Sequence, residues 1–258
     1  MGSKLQRISI TGFKGQFFTQ LLRAKVDAVI VGPATTAIDQ PNLNFRWEPF
    51  DQNFLDSIQN YKNSFLKESK LNYQVSSQYY DEFLRGLWIF YKDIINSTYI
   101  FHYQPIRIFI LGRYFDSFIN FLEKQKQLEE STKQKFYFFV QKKYKEHYKN
   151  FDHDKNHFID SPNLDDENFF KFLNEFLIEK NVQKVLFEAG VYFFEKLFSY
   201  IEPEDFIYHV KKEETVLNKS LKQPIFWDKS KYNLILKDKL LLGDHTIYSL
   251  RKLSTNFF

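Results

Sequence analysis

The sequence predicts an α/β domain with a mixed sheet flanked by helices. Three observations carry this expectation. Short apolar runs end in glycine, amphipathic helical stretches separate them, and the chain closes on strands joined by one tight turn. The runs are "DAVIVG", "PIRIFILG" and "VQKVLFEAG", ending at Gly32, Gly112 and Gly190. A continuous apolar run suits a strand covered on both faces, which is the setting of parallel strands.

Taken in order, "LQRISI" reads as a short first strand. "FKGQFFTQLLRAK" reads as a helix, because Phe17, Leu21 and Leu22 share helical spacing and Lys and Arg sit at its end, where the helix dipole favours cations. "DAVIVG" follows as a buried strand. From Trp47 to Tyr103 the pattern is helical, with apolar residues at i, i+3 and i+4. "PIRIFILG" is a strand, "FDSFINFLEKQKQLEEST" a helix, "KFYFFVQ" a strand and "KNHFIDS" a weaker one. "SPNLDDENFFKFLNEFLIEKN" opens on proline and acidic residues and becomes amphipathic, a helix-start signal. "VQKVLFEAG" and "VYFFEKLFSYI" make another strand and helix. Three strands close the chain as a meander, in "EDFIYHVKK", "YNLILKDKLLL" and "HTIYSLRKL". "LGDH" makes an antiparallel hairpin of the last two. No repeat or linker divides the 258 residues, so a single domain over 1–258 is expected, with a helical insertion at about 48–103.

Composition narrows the function. Hydrophobic residues make up 43%, enough for a core, and the 31 phenylalanines are read as core filling. The absence of cysteine removes disulfides, thiolate catalysis and Cys-ligated metals. No apolar run reaches the roughly 20 residues that span a bilayer, and "MGSKLQRISITGF" lacks the apolar core of a signal peptide. A cytoplasmic protein without a membrane partner is expected. A net charge of +4 suits an anionic small molecule and is too mild to argue for nucleic acid.

Ligands of open α/β sheets bind beyond the carboxyl ends of strands. Small residues at Gly32, Gly112 and Ala189–Gly190 let a ligand approach the backbone. Gly190 also precedes a helix, whose free N–H groups favour phosphate. Arg23 and Arg46 bracket the first glycine strand, and two guanidinium forks converging there would clamp a phosphate. His147, His153 and His157, with Asp152 and Asp154, match no established metal spacing and read as a solvated loop; no metal is expected. Lys142, Lys143 and Lys145 read as a solvated charged face.

The run "ITG" followed by "LLRAKVDAVIVGPATTAIDQPNLNFRW" resembles the reductase domain of the bifunctional riboflavin-biosynthesis deaminase/reductase. That family shows W-I-T-G and then L-R-A/S-x-x-D-A-I-L-V-G-x-x-T-x-x-x-D-x-P-x-L-T-V-R. Ile10-Thr11-Gly12, Leu22-Arg23-Ala24, Asp27-Ala28, Gly32, Thr35, Asp39, Pro41, Leu43 and Arg46 match without a gap. "QPIRIFILG" is similar to the family's Q-P-x-R strand, "VQKVLFEAG" to its V-x-x-V-L-V-E-G-G, and "KLLLGDHTIYSLRK" to its closing hairpin.

The resemblance implies a dihydrofolate-reductase-like α/β fold. It also implies NADPH-dependent reduction of 5-amino-6-(5-phosphoribosylamino)uracil to its ribitylamino product, so the small-molecule partner is a phosphoribosyl pyrimidine. By motif, Thr35 and Asp39 contact NADPH and Gly190, with Val191 opening the next helix, takes its pyrophosphate; Gly112 is placed on the cofactor side by its strand end, and Val191 is bulkier than the family pattern. Arg23, Leu43, Arg46 and Glu188 face the substrate, with the two arginines on its phosphate. Where the family has Asp-Ser after its second strand, Leu111-Gly112-Arg113 stands, and Arg113 is assigned to the cofactor 2′-phosphate. No catalytic residue is assigned. The departures fall on the cofactor side: Ser9 replaces the tryptophan, Ala189 the first glycine of E-G-G, and "MGSKLQRIS" stands where the family has a strand of the form L-K-x-A-x-S-L-D-G-x-I-A. The zinc motifs of the deaminase are not in the sequence. A catalytically inactive homologue that binds a ligand or assembles with a partner is the competing expectation, and a homodimer is left open.

Overall fold

The computed structural model describes residues 19–20, 22–45, 104–151, 153–201, 207–212, 233–242 and 245–252. Five strands make a parallel sheet: β1 (Ala28–Val31), β2 (Ile106–Leu111), β3 (Phe136–Gln141), β4 (Phe158–Ser161) and β5 (Val185–Glu188). Their order is β4-β3-β2-β1-β5. β1 pairs with β2 from Ala28↔Ile106 to Val31↔Phe109, and with β5 from Ala28↔Val185 to Val31↔Glu188. Asp27 fixes the start of this register, because its carboxylate accepts the amides of Gln183 and Lys184 at 2.9 and 2.8 Å.

The period-two alternation of the strands divides the core into two layers. Ala28, Ile30, Ile108, Ile110, Tyr137 and Phe139 face one side. There they pack on Phe169, Leu173, Phe176 and Leu177 of one helix and on Phe193 and Leu197 of another. Val29, Val31, Phe109, Leu111, Phe136, Phe138 and Val140 face the other side and meet Phe118, Phe121, Leu122 and Tyr148. Among the described residues most phenylalanines fill this core, with edge-to-face pairs such as Phe109–Phe121 at 5.1 Å. The helices involved are α2 (Phe118–Thr132), α3 (Asn168–Glu179) and α4 (Val191–Phe198). The chain steps outward from β2 to β4 with α2 and a 3-10 helix (Lys142–Phe151) on one face. It returns to β5 with α3 on the other, as right-handed crossovers require.

Two differences from the sequence reading concern short helices. Pro33–Asp39, to which the sequence pattern assigned no element, is helix α1, with Gly32 as its N-cap, Pro33 at its first turn and Gln40 closing it at φ 44°. The segment expected as a solvated loop begins within the 3-10 helix, whose Tyr148 is buried against Phe118. His157 beside it is bonded on both ring nitrogens: Nδ1 lies 2.8 Å from Asp154 and Nε2 2.7 Å from Glu129. Its ring stacks on Phe136. Lys143 and Lys145 pair with Asp165 and Asp160. Among the described residues no group of His, Asp and Glu is arranged to hold a metal, and no helix is long and apolar enough to cross a membrane.

The closing strands β6 (Ile207–Lys212), β7 (Leu234–Leu242) and β8 (His245–Lys252) form an antiparallel sheet in the order β6-β8-β7. Leu242 pairs with His245, so two residues join β7 to β8 and the expected hairpin holds. The expected meander does not. A meander needs a tight turn between each consecutive pair, and the long connection 213–233 lets β7 take the outer position. α4 joins the two sheets: Phe193 and Leu197 pack on the parallel sheet, while Phe194 packs with Leu234 and Leu250. Lys252 Nζ donates to the carbonyls of Phe198 and Ile201 at 3.2 and 3.1 Å, capping the end of α4. The mixed α/β class with a C-terminal antiparallel hairpin is therefore observed. The expected strand at Leu5–Ile10, the first half of the Phe13–Lys25 helix and the helical stretch 47–103 lie outside the described residues.

Burial pushes the carboxyls of Glu129 and Asp154 upward, but their hydrogen bonds outweigh it. Lys135 and His157 bond Glu129, His157 and Lys126 bond Asp154, and both carboxyls end below the usual range. A depressed folded-state value adds stability above the ordinary carboxylate pKa of about 4, and acid removes it. Between about pH 5 and about pH 3 the melting temperature of the native protein should fall more steeply than that of Glu129→Gln/Asp154→Asn. Parallel melting curves followed by circular dichroism would show that the network contributes nothing.

Candidate functional site

The direction of a parallel sheet gathers its loops at one edge. Gly32, Gly112 and Gly190 follow β1, β2 and β5, three neighbouring strands, so all three lie on the carboxyl edge. The strand order reverses between β1 and β5. The chain leaves β1 toward β2 and reaches β5 on the other flank, which makes the crevice between these two strand ends the expected ligand position.

The three glycines are not equivalent. A Cβ on Gly32 would stand 2.8 Å from the Cβ of Phe193, so Gly32 lets α4 approach β1. A Cβ on Gly112 would stand 3.1 Å from the Cβ of Pro33, so this glycine makes room for the start of α1. At Gly190 the nearest atom is Thr35 Oγ1 at 3.9 Å, an ordinary contact, and the residue is exposed with an extended backbone at φ −73°. Packing therefore explains two of the three, and nothing in the fold requires the third to lack a side chain.

Thr35 thus comes beside Gly190, joining the first turns of α1 and α4. Its neighbour Thr36 is buried and turns inward, its hydroxyl donating to the Gly32 carbonyl at 3.0 Å. Asp39 is half-buried at the last position of α1, and Arg113 is exposed after β2. Val191 is the first residue of α4. The loop that carries Gly112 and Arg113 is held from two sides. Gln141 is buried, its amide donates to the Leu111 carbonyl at 2.6 Å and its oxygen accepts the Leu164 amide at 2.8 Å. The hydroxyl of Tyr148 donates to the Gly112 carbonyl at 3.3 Å, and burial raises its pKa above the ordinary phenol value.

Residues assigned to the substrate gather at the end of β5. Arg23 is buried and donates Nε and Nη2 to the two oxygens of Glu188 at 2.6 and 2.8 Å, and Nη1 to the Asn44 carbonyl at 3.2 Å. Leu43 is wholly buried in the core, backbone and side chain alike, with φ 56°. Arg46 lies outside the described residues. The adjoining backbone of Phe45 is clamped by the buried Gln104 side chain, which accepts the Phe45 amide at 2.8 Å and donates to its carbonyl at 2.9 Å.

Beside α4, Asp165 accepts hydrogen bonds from Lys143 and Tyr192, with Lys196 3.3 Å away. These bonds, Lys143 first, hold its carboxyl far below the usual range. The bond to Asp165 raises the Tyr192 phenol to about 12. Sequence reasoning passed over Gln104, Gln141 and this cluster. Of these, Gln104 alone carried a signal, as the first residue of the quoted Q-P-x-R match.

Against solved structures, the chain matches RibD from Acinetobacter baumannii in two forms. One has a TM-score of 0.54 at 17% identity over 95% of this chain and 52% of RibD; the other has 0.53 at 16% over 98% and 54%. A pyrimidine reductase-like protein from Corynebacterium diphtheriae matches with a TM-score of 0.51 at 14% identity, over 97% of this chain and 87% of that one. The chain shares the RibD fold. It spans about half the length of the RibD chains. At these identities the likeness is one of fold, the dihydrofolate-reductase-like arrangement of sheet, helices and closing hairpin. No family model and no curated protein sequence matches the chain.

The glycine geometry separates two variants. Gly32→Ala should destabilise the protein by about 1–3 kcal/mol, since the new methyl meets the Cβ and ring of Phe193. Gly190→Ala should stay within about 1 kcal/mol of the native protein. Urea denaturation checks both, and equal midpoints for the two would refute the distinction.

Proposed function

We propose that this protein is an NADPH-dependent reductase acting on a phosphorylated ribosylaminopyrimidine, with 5-amino-6-(5-phosphoribosylamino)uracil as the substrate the motif match favours. The observation that carries the reading is the open backbone at Gly190. The residue sits at the strand-order reversal, at the N-cap of α4 and beside Thr35, and no side chain packs against it closely enough to require a glycine. Helix-start amides with no side chain in the way fit a pyrophosphate. The likeness to a pyrimidine reductase-like protein adds support from the fold.

In this reading Gly190 and Val191 present backbone N–H groups to the pyrophosphate, and Thr35 and Asp39 contact the cofactor from α1. Gly112 and Arg113 border it after β2, with Arg113 reaching a 2′-phosphate. When bound, NADPH supplies the hydride. The contribution of the chain is position and electrostatics. Arg23 and Glu188 border the substrate and Arg46 takes its phosphate, while Leu43, wholly buried, has no surface to offer it. The compartment expected for such an enzyme is the cytoplasm.

Calorimetric titration tests the reading. NADPH should bind, and Gly190→Ala should weaken it about tenfold or more without loss of fold. No binding at millimolar NADPH overturns the proposal, and binding without turnover of the pyrimidine favours the inactive homologue. If the enzyme turns over, Arg46→Ala should raise KM for the phosphorylated substrate; an unchanged KM removes Arg46 from the phosphate.

A further inference from the structure

Arg23 and Glu188 form a charge pair between residues 165 positions apart in sequence. Its geometry is fork to fork: Nε and Nη2 meet Oε1 and Oε2, and Nη1 is turned to the Asn44 carbonyl. Access to the two partners differs. The Arg23 side chain is 8% exposed and that of Glu188 is 22% exposed. The pair is sealed at the guanidinium and more open at the carboxylate.

This arrangement does not suit Arg23 as a phosphate ligand. Of the two guanidinium edges that can grip an oxyanion in two places, Glu188 holds Nε/Nη2, and Nη1 of the other is already engaged by the Asn44 carbonyl. A phosphate brought to this largely buried group would lie against the Glu188 carboxylate, and like charges in one site repel. Glu188 keeps capacity for a ligand. A carboxylate offers about four acceptor directions, and Arg23 uses one on each oxygen.

We infer that Arg23 is a positioning residue: it holds the Glu188 carboxylate at the end of β5 to accept hydrogen bonds from the ligand's donors, sugar hydroxyls or ring N–H groups, and does not itself bind the phosphate. The inference rests on the substrate class proposed above. It separates two roles that the motif match assigns together, since phosphate recognition then falls to Arg46.

The test compares 5-amino-6-(ribosylamino)uracil with its 5′-phosphate, each titrated calorimetrically into the full chain. The ratio of the two affinities measures what the phosphate contributes. Arg23→Gln should weaken both compounds by the same factor, about tenfold or more, and leave the ratio unchanged. Arg23→Gln/Glu188→Gln should be no weaker than Glu188→Gln alone. Loss confined to the phosphorylated compound makes Arg23 a phosphate ligand and overturns the inference. A folded Arg23→Gln with both affinities intact makes the pair purely structural and overturns it as well. If Arg23→Gln does not fold, Glu188→Gln decides. Equal weakening of both compounds supports the inference, while a larger phosphate contribution, from a guanidinium set free, overturns it. Native protein that binds neither compound overturns the substrate reading and this inference with it. Native protein that binds both, with a failed ratio test, overturns this inference alone.

Discussion

Four residues at the middle of the parallel sheet set the terms for the rest of the chain. Ala28–Val31 are wholly buried, so their backbone amides and carbonyls have no water to turn to. They are satisfied by β2 on one side and β5 on the other, both parallel. Parallel neighbours cannot be reached by tight turns, so each needs a crossover that also covers a face of the sheet. Ala28 and Ile30 require α3 and α4; Val29 and Val31 require α2. Even the charged groups obey this constraint. Arg107 on β2 is wholly buried, bonded to the Gln125 side chain at 2.6 Å and the Gln134 carbonyl at 3.0 Å. Burial lowers its pKa to about 10, against the attraction of Glu129.

The same constraint decides where a ligand can sit. A strand covered on four sides is open only at its ends, and the carboxyl end of β1 is where the chain turns one way while β5 arrives from the other. Phe193 lies on Gly32 at this end. What stays open is the next step along the edge, Gly190 with Thr35 on one side and Glu188 on the other. The bulk of the aromatic core and the openness of the site are two sides of one packing solution.

Much of this was legible in the sequence because the buried strands are written plainly. The run "AVIV" is apolar throughout and "IRIFIL" is broken only by Arg107; both are followed by glycine and spaced by helical patterns. The helix at Pro33–Asp39 was hidden because seven residues are too few to show a period, although proline directly after Gly32 is the start signal it uses. The glycines looked alike because a letter does not say what stands opposite. Phe193 at Gly32 and open space at Gly190 are facts of tertiary packing. Arg23 and Glu188 were both marked as site residues, yet their grip on each other joins distant parts of the chain, and no local pattern encodes it. His157 was set among solvated residues for the same reason, since Glu129 belongs to α2, with β3 and the 3-10 helix between them.

The clamp of Gln104 on Phe45 has a consequence for the chain between them. Two amide hydrogen bonds fasten the residue before position 46 to the residue after position 103, so the intervening stretch leaves and rejoins the domain at one place. The cost of closing a flexible loop grows only with the logarithm of its length, roughly 0.6 kcal/mol for each doubling, and this pair of hydrogen bonds is the contact that sets where such a closure ends.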